Sequence, residues 1–251
     1  MSVEFVDTSS EYLDCGSGAT IDDVWDGGGS VVFWLYLDDF TPTLQTLAGK
    51  GDPTSLTNNG WILLARNSGG NYVETIHLHV DFDDTAGDWT IGDNGLSAAA
   101  WVHVAVVYNS DSVDNNPVIY LDGVSQSIEE INGPVGARDS DAAIDWNIGR
   151  DPVENDYFLD GKLEDYRAFK GKSLTQEDVS LLASGYRGPI GGESMWLSMC
   201  EARGAAGGFE GSSLANGTNL CPDLSVNSND GDPVNTPTGR ASEAPRYGVA
   251  V

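Results

Sequence analysis

Residues 101–108 read Trp101-Val102-His103-Val104-Ala105-Val106-Val107-Tyr108, and residues 117–123 read Pro117-Val118-Ile119-Tyr120-Leu121-Asp122-Gly123. Both runs are rich in β-branched and aromatic residues, which fit an extended, pleated backbone. The polar loop Asn109–Asn116 separates them. Asp122-Gly123 is a dipeptide that a two-residue hairpin turn selects, because both central residues take positive φ. The stretch therefore predicts antiparallel strands, with Val124–Ile131 as the partner of 117–121.

The same punctuation extends outward. Upstream, strands are expected at Val3–Val6, Ser30–Leu37, Thr43–Ala48, Gly60–Arg66 and Thr75–Asp83. Ser30–Leu37 is apolar at both parities, which predicts burial on both faces. Thr75–Asp83 alternates: Ile76, Leu78, Val80 and Phe82 share one face, and His77, His79, Asp81 and Asp83 the other. Downstream, Ile144–Gly149, Leu159–Phe169 and Ser194–Met199 read as strands. One helix is expected at Leu174–Ala183, with a Thr175 cap, early acids and a closing Gly185. From Gly188 the chain turns Gly- and Ser-rich. The expected organisation is a body over 1–187 and a C-terminal extended arm or small lobe over 188–251.

Charge narrows the function classes. The 251 residues carry 39 acids against 12 bases, a net charge of −27. Nucleic acid needs clustered Lys and Arg, and an anionic membrane surface would repel this chain, so neither partner is expected. No apolar run is long enough to span a bilayer. The opening Met1-Ser2-Val3-Glu4-Phe5 lacks the pattern of a classical secretion signal. Cys15, Cys200 and Cys221 are too few for a disulfide framework. Cys15 reads as a small core residue at a strand end, and pairing of Cys200 with Cys221 stays open.

Several segments together resemble a known family. They are Phe5–Asp14, Val31–Leu37, Trp101–Tyr108 ("W-x-H-V-A-V-x-Y"), Ile119–Val124 ("L-Y-V-D-G-V"), Ile148-Gly149-Arg150, Leu159–Phe169 ("F-D-G-K-I-D-E-V-R-I-Y") and Leu174–Glu177. In this order, over 1–187, they resemble laminin-G-like, concanavalin A-like lectin/glucanase domains. The resemblance implies an all-β, two-sheet antiparallel β-sandwich, or jelly roll, with one short helix. Trp196–Met199 and Asp223–Asn235 resemble tails of stand-alone laminin-G-like proteins of tailed-phage virions. That second resemblance implies a non-enzymatic virion surface protein, a capsid decoration or tail component made in the host cytoplasm. Its arm would dock to capsid or tail subunits, it would form a homo-oligomer, and it could adhere weakly to cell-surface glycans. The alternative is a cellular or secreted, extracellular carbohydrate-binding module. A third reading is a divergent glycoside hydrolase.

The candidate sites follow. Related glucanases carry "E-x-D-x-E" on one strand. The nearest match here is Asp81-Phe82-Asp83 after His77 and His79, a row whose groups suit acid/base chemistry or a metal; a solvated strand face is the expectation and no catalytic role is assigned. The resemblance implies a structural Ca²⁺ at a sandwich edge with a ligand at Glu164, one methylene longer than the family's Asp; Asp7 and Asp160 are further oxygen ligands by residue type. By alternation Asp165 should face away from Glu164. Glycan stacking is expected at Trp61, Tyr72, Trp89, Trp146 or Tyr157, while Trp34, Trp101 and His103 are expected in the core.

Overall fold

The computed structural model describes residues 2–51, 60–199, 221–240 and 244. In chain order the first strands are β1 (Ser2–Phe5), β2 (Tyr12–Asp14), β3 (Gly29–Leu37), β4 (Leu44–Gly49), β5 (Trp61–Arg66), β6 (Thr75–Val80), β7 (Gly87–Thr90) and β8 (Trp101–Tyr108). They are followed by β9 (Val118–Leu121), β10 (Val124–Ser125), β11 (Glu129–Asn132), β12 (Asn147–Ile148) and β13 (Gly161–Lys170). An α-helix, α1 (Gln176–Ala183), precedes β14 (Met195–Leu197), β15 (Asp232–Val234) and β16 (Thr238–Arg240). The strands form two antiparallel sheets. The first runs β10-β9-β8-β3-β13-β1-β16, with β14 also on β13; the second runs β11-β7-β6-β5-β4-β12-β2-β15.

The opening stretch supplies β8, β9 and their turn. Asp122 and Gly123 both take positive φ, 49° and 79°, and Val124 pairs with Leu121. The expected partner strand is shorter than its sequence run. After Ser125 the chain leaves this sheet, and Glu129–Asn132 pairs with β7 in the second sheet.

The core lies between the sheets. Val31, Phe33, Leu35, Val104, Val106 and Leu163 face Leu63, Ile76, Leu78, Val80 and Trp89. Each such side chain contributes roughly 1.5–3 kcal/mol on leaving water. β3 is also buried on its outer face. There Val32 packs with Ala105, Tyr120, Phe169 and the α1 residues Val179 and Leu182. The helix starts where expected: the Thr175 hydroxyl accepts from the Asp178 N–H, and the Asp178 carboxylate accepts from the Thr175 N–H. This reciprocal cap satisfies two backbone donors that would otherwise lack partners.

A bulge in β13 overturns the simple alternation. Asp165 has φ 53°, and the register to β3 shifts between Glu164 and Arg167. As a result Glu164 and Asp165 lie on one side, each 3.6 Å from the Arg187 guanidinium.

The C-terminal segment, expected as an extended arm or lobe, is stitched into the sandwich wherever it is described. β14 pairs with β13, β15 with β2 and β16 with β1, so both sheets gain strands. Short polar side chains make this possible: Asn227 and Asn229 both donate to the Ser194 carbonyl, at 3.0 and 2.7 Å. Cys15 is a buried free thiol and Cys221 is disulfide-bonded; Cys200 lies outside the described residues. Among the described residues no helix is long and apolar enough to cross a membrane.

Candidate functional site

Three of the five expected glycan-stacking residues are core. Trp61, Trp89 and Trp146 are fully buried. Trp61 packs edge-on against Trp146 at 4.8 Å, and Trp89 lies 5.1 Å from Tyr108. Trp61 shares strand parity with inward-facing Leu63, and Trp89 is the cross-strand partner of inward-facing Leu78, so both rings point between the sheets. Tyr72 is half-buried, with the Arg66 guanidinium 3.6 Å over its ring and the His77 ring 5.0 Å away. Tyr157 is half-buried in a loop, and its carbonyl accepts from Thr46 at 2.8 Å.

The expected calcium set is not assembled. Asp7 and Asp160 do meet: the Asp7 backbone N–H bonds the Asp160 carboxylate, whose pKa is raised by burial and then by Asp7, Asp38 and Asp39. Glu164 is elsewhere. It lies within β13, buried on the outer face of the first sheet beneath Arg187, whereas Asp160 precedes the strand.

One tryptophan expected inside reaches the surface. Trp101 opens β8 and is half-buried, opposite half-buried Tyr36 in β3, with ring centroids 5.6 Å apart. A cleft of about 360 Å³ beside it is lined by Leu96, Ser97, Ala100, Trp101, Leu121 and Asp122. The Asp122 carboxylate is fixed by the His103 N–H at 2.9 Å, and the 94–99 loop by Leu96 N–H to the Glu74 carbonyl and Ala99 N–H to the Leu37 carbonyl, both 2.8 Å. A site held this way loses little freedom on binding. A second cleft, about 500 Å³, is lined by Asn109, Asp114, Asn115, Asn116, Val118 and Ser173. Two of its amides are spent on framing: Asn116 Oδ1 accepts from the Trp89 indole at 2.7 Å, and Asn115 Nδ2 donates to the Asn109 carbonyl at 3.0 Å.

The polar face of β6 is not solvated, contrary to expectation. His77, His79 and Asp81 are 2%, 6% and 3% exposed. The strand ends at Val80, so Asp83 leaves this row and is exposed. Its place is taken by Asp88 of β7, the register partner of His79. Asp88 Oδ1 lies 2.9 Å from His77 Nε2 and 2.8 Å from His79 Nδ1; Asp81 Oδ1 lies 3.0 Å from His79 Nε2. Asn132 Nδ2 donates to Asp88 Oδ2 at 2.8 Å. Arg66 Nη1 lies 3.3 Å from His77 Nδ1. A guanidinium only donates, so His77 Nδ1 accepts and its proton sits on Nε2.

The electrostatics follow from these partners. Burial disfavours the charged form of His79, but its bonds to Asp81 and Asp88 outweigh this and raise its pKa to about 9. Burial likewise opposes ionisation of Asp88, but its bonds to His77 and His79 hold it well below the usual carboxylate range. His77 is pushed down, chiefly by burial. One ring nitrogen each of His77 and His79 and a carboxylate oxygen of Asp88 all lie within 4.8 Å of one another, a metal-ligand type of grouping. The alternation of Thr75–Asp83 signals the two histidines. Nothing local signals Asp88, because only strand register brings it there.

The comparisons with known proteins agree with this architecture. The family model for the concanavalin A-like lectin/glucanases superfamily matches residues 7–180. A candidate carbohydrate-binding protein from Bacteroides ovatus superposes with a TM-score of 0.64 at 14% identity, over 98% of this chain and 61% of that one. This chain thus spans about three fifths of that structure. A heptameric SAP-like pentraxin from Limulus polyphemus gives a TM-score of 0.49 at 16% identity, over 74% of this chain and 84% of that one. The CBM40 of a Ruminococcus gnavus IT-sialidase, bound to α2,3 sialyllactose, gives 0.46 at 12% identity, over 73% and 98%. No curated protein sequence matches.

Proposed function

Because the chain belongs to the concanavalin A-like lectin/glucanases superfamily, we propose that it is a non-catalytic glycan-binding module seating an uncharged sugar against Trp101. The observation that carries this is the half-buried Trp101–Tyr36 pair beside a cleft of about 360 Å³. Sugar rings present C–H faces that pack on aromatic rings, and Ser97 and Asp122 supply hydrogen-bonding groups for hydroxyls. The net charge of −27 disfavours anionic glycans.

A binding role is also favoured by the state of the acids in the row across β6 and β7. Hydrolysis of a glycosidic bond calls for two carboxylates flanking it, one of them an acid of raised pKa. Asp88 is held ionised between two imidazoles, and Asp81 is bonded to His79. The test is a glycan array with the wild type, Trp101→Ala and Asn116→Ala. Binding of an uncharged glycan should weaken about tenfold or more in Trp101→Ala at unchanged fold. Asn116→Ala should leave it intact. Binding that survives Trp101→Ala, or that moves to the Asn116 cleft, would overturn this site. Sugar release on incubation would overturn the non-catalytic reading.

A virion-surface setting with capsid or tail partners is a second proposal, and the Asp223–Asn235 tail sequence favours it. The described part of the tail is spent on its own sheets, so docking would fall to the sandwich surface. A fixed copy number per capsid protein in gradient-purified particles supports this setting. Absence from particles leaves the extracellular module.

A further inference from the structure

Independently of any glycan, we propose that His77, His79 and Asp88 form a binding site for a first-row divalent ion, Zn²⁺ foremost, on the outer face of the second sheet. Positions i and i+2 of a strand place two imidazoles on one face, and register sets Asp88 of β7 against His79. The donor atoms already converge: His77 Nε2 and His79 Nδ1 lie 2.9 and 2.8 Å from Asp88 Oδ1, and one ligand atom of each residue lies within 4.8 Å of the others. Tetrahedral zinc with bonds of about 2.0–2.1 Å wants donors roughly 3.3–3.4 Å apart, a change of about half an ångström in the two shorter contacts.

The surroundings match what such a site requires. Asp81 takes the far nitrogen of His79 at 3.0 Å, the carboxylate–imidazole–metal relay that orients a ligand and raises its basicity. Asn132 steadies the other Asp88 oxygen at 2.8 Å. Two imidazoles and one carboxylate select zinc, cobalt, nickel or copper over calcium and magnesium, which prefer all-oxygen sets. Entry is from the Asp88 side, where the side chain is 12% exposed against 2% for His77. A water completes the fourth position. Binding releases one proton from His79 and moves the His77 proton from Nε2 to Nδ1.

That last step identifies an antagonist. Arg66 Nη1 donates toward His77 Nδ1, so a metal on Nε2 sets two donors against each other. Arg66 has other anchors, the Ser68 hydroxyl at 2.9 Å and the Tyr72 ring at 3.6 Å, and can withdraw onto them. Removing its guanidinium should therefore strengthen the site.

The test uses tag-free, chelator-treated full chain at about 0.15 M salt, which screens the acidic surface. Co²⁺ is titrated while its visible d–d absorption is followed, and Zn²⁺ is measured by competition with a chromogenic chelator. One equivalent with a four-coordinate cobalt spectrum is expected. His77→Gln and His79→Gln should each weaken binding by about a hundredfold or more, and Asp81→Asn by about 10–100-fold. Arg66→Gln should tighten it several-fold. Asp83→Asn should leave it unchanged. Circular dichroism and melting check each variant; should the histidine variants unfold, the opposite signs of Arg66→Gln and Asp81→Asn decide. No cobalt spectrum, or full zinc retention by folded His77→Gln/His79→Gln, overturns the proposal.

Discussion

His103 and His79 occupy matching places on the outer faces of the two sheets, and the protein drives them in opposite directions. Both are nearly buried, at 2% and 6% exposure. His103 of the first sheet packs edge-on against Trp34 at 5.3 Å, and burial followed by the nearby Arg187 and Arg167 pushes its pKa down to about 3. His79 of the second sheet lies between two carboxylates and rises to about 9. Burial alone would lower both. The difference teaches that the charge of the covering groups, more than depth, decides whether a buried imidazole is neutral or cationic. The first sheet is covered by α1 and by a chain segment bringing cations. The second carries its own strand-to-strand row of acids and imidazoles.

The largest effect should come from breaking the charge network over the first sheet. Arg167 is fully buried and bonds Asp165 at 3.1 and 2.9 Å. Arg167→Gln leaves that carboxylate with Arg187 at 3.6 Å and the Trp196 indole. A loss of about 3–5 kcal/mol is expected in denaturant melts. The counterpart Asp88→Asn keeps the shape of the second row and leaves Asp81 on His79, so about 1–3 kcal/mol is expected. Equal losses would break the comparison.

Opposite pH slopes are the next expectation, for metal-free protein. His103 has a folded pKa near 3, below the unfolded value of about 6.5. Its contribution is complete above about 6.5 and falls by about 1.4 kcal/mol per unit as pH drops toward 3. His79 has a folded pKa near 9, so its contribution is complete below about 6.5 and is lost at the same slope as pH rises toward 9. Ring-proton NMR titration measures both directly. Two midpoints near 6.5 would refute the contrast, and His79→Gln should flatten only the alkaline limb.

Smaller effects test the covers. Thr175→Ala removes the α1 cap and should cost about 1 kcal/mol, since α1 shields Val32 and Ala105. Trp101→Ala should cost about 1 kcal/mol, the loss of a half-buried ring pair with Tyr36, while abolishing sugar stacking. A large loss of stability there would return Trp101 to the core.

How far these features were legible depends on their range. Most strand runs, the Asp122-Gly123 turn and the Thr175 cap are local, and the structure has them where the residues put them, whereas the run 124–131 is divided between the two sheets. Of the aromatic assignments, Trp34 is in the core as expected, but four others changed places. Trp61, Trp89 and Trp146 are core, and Trp101 reaches the rim. Trp101–Tyr108 is apolar at both parities, so its pattern does not show which side faces inward. β7 was invisible as a strand: Gly87-Asp88-Trp89-Thr90 has no run long enough to read.

The sequence by itself determined the family fold, because burial parity, turn dipeptides and caps act between residues close in the chain. Only the tertiary structure decided the site chemistry. The His77–Asp88–His79 row depends on register across β6 and β7, and the Glu164–Asp165–Arg187 cluster on a bulge. The fate of residues 188–199 and 221–240 depends on free sheet edges far away in sequence. Each of these joins residues through space, where distance and dielectric, not order along the chain, set the energy.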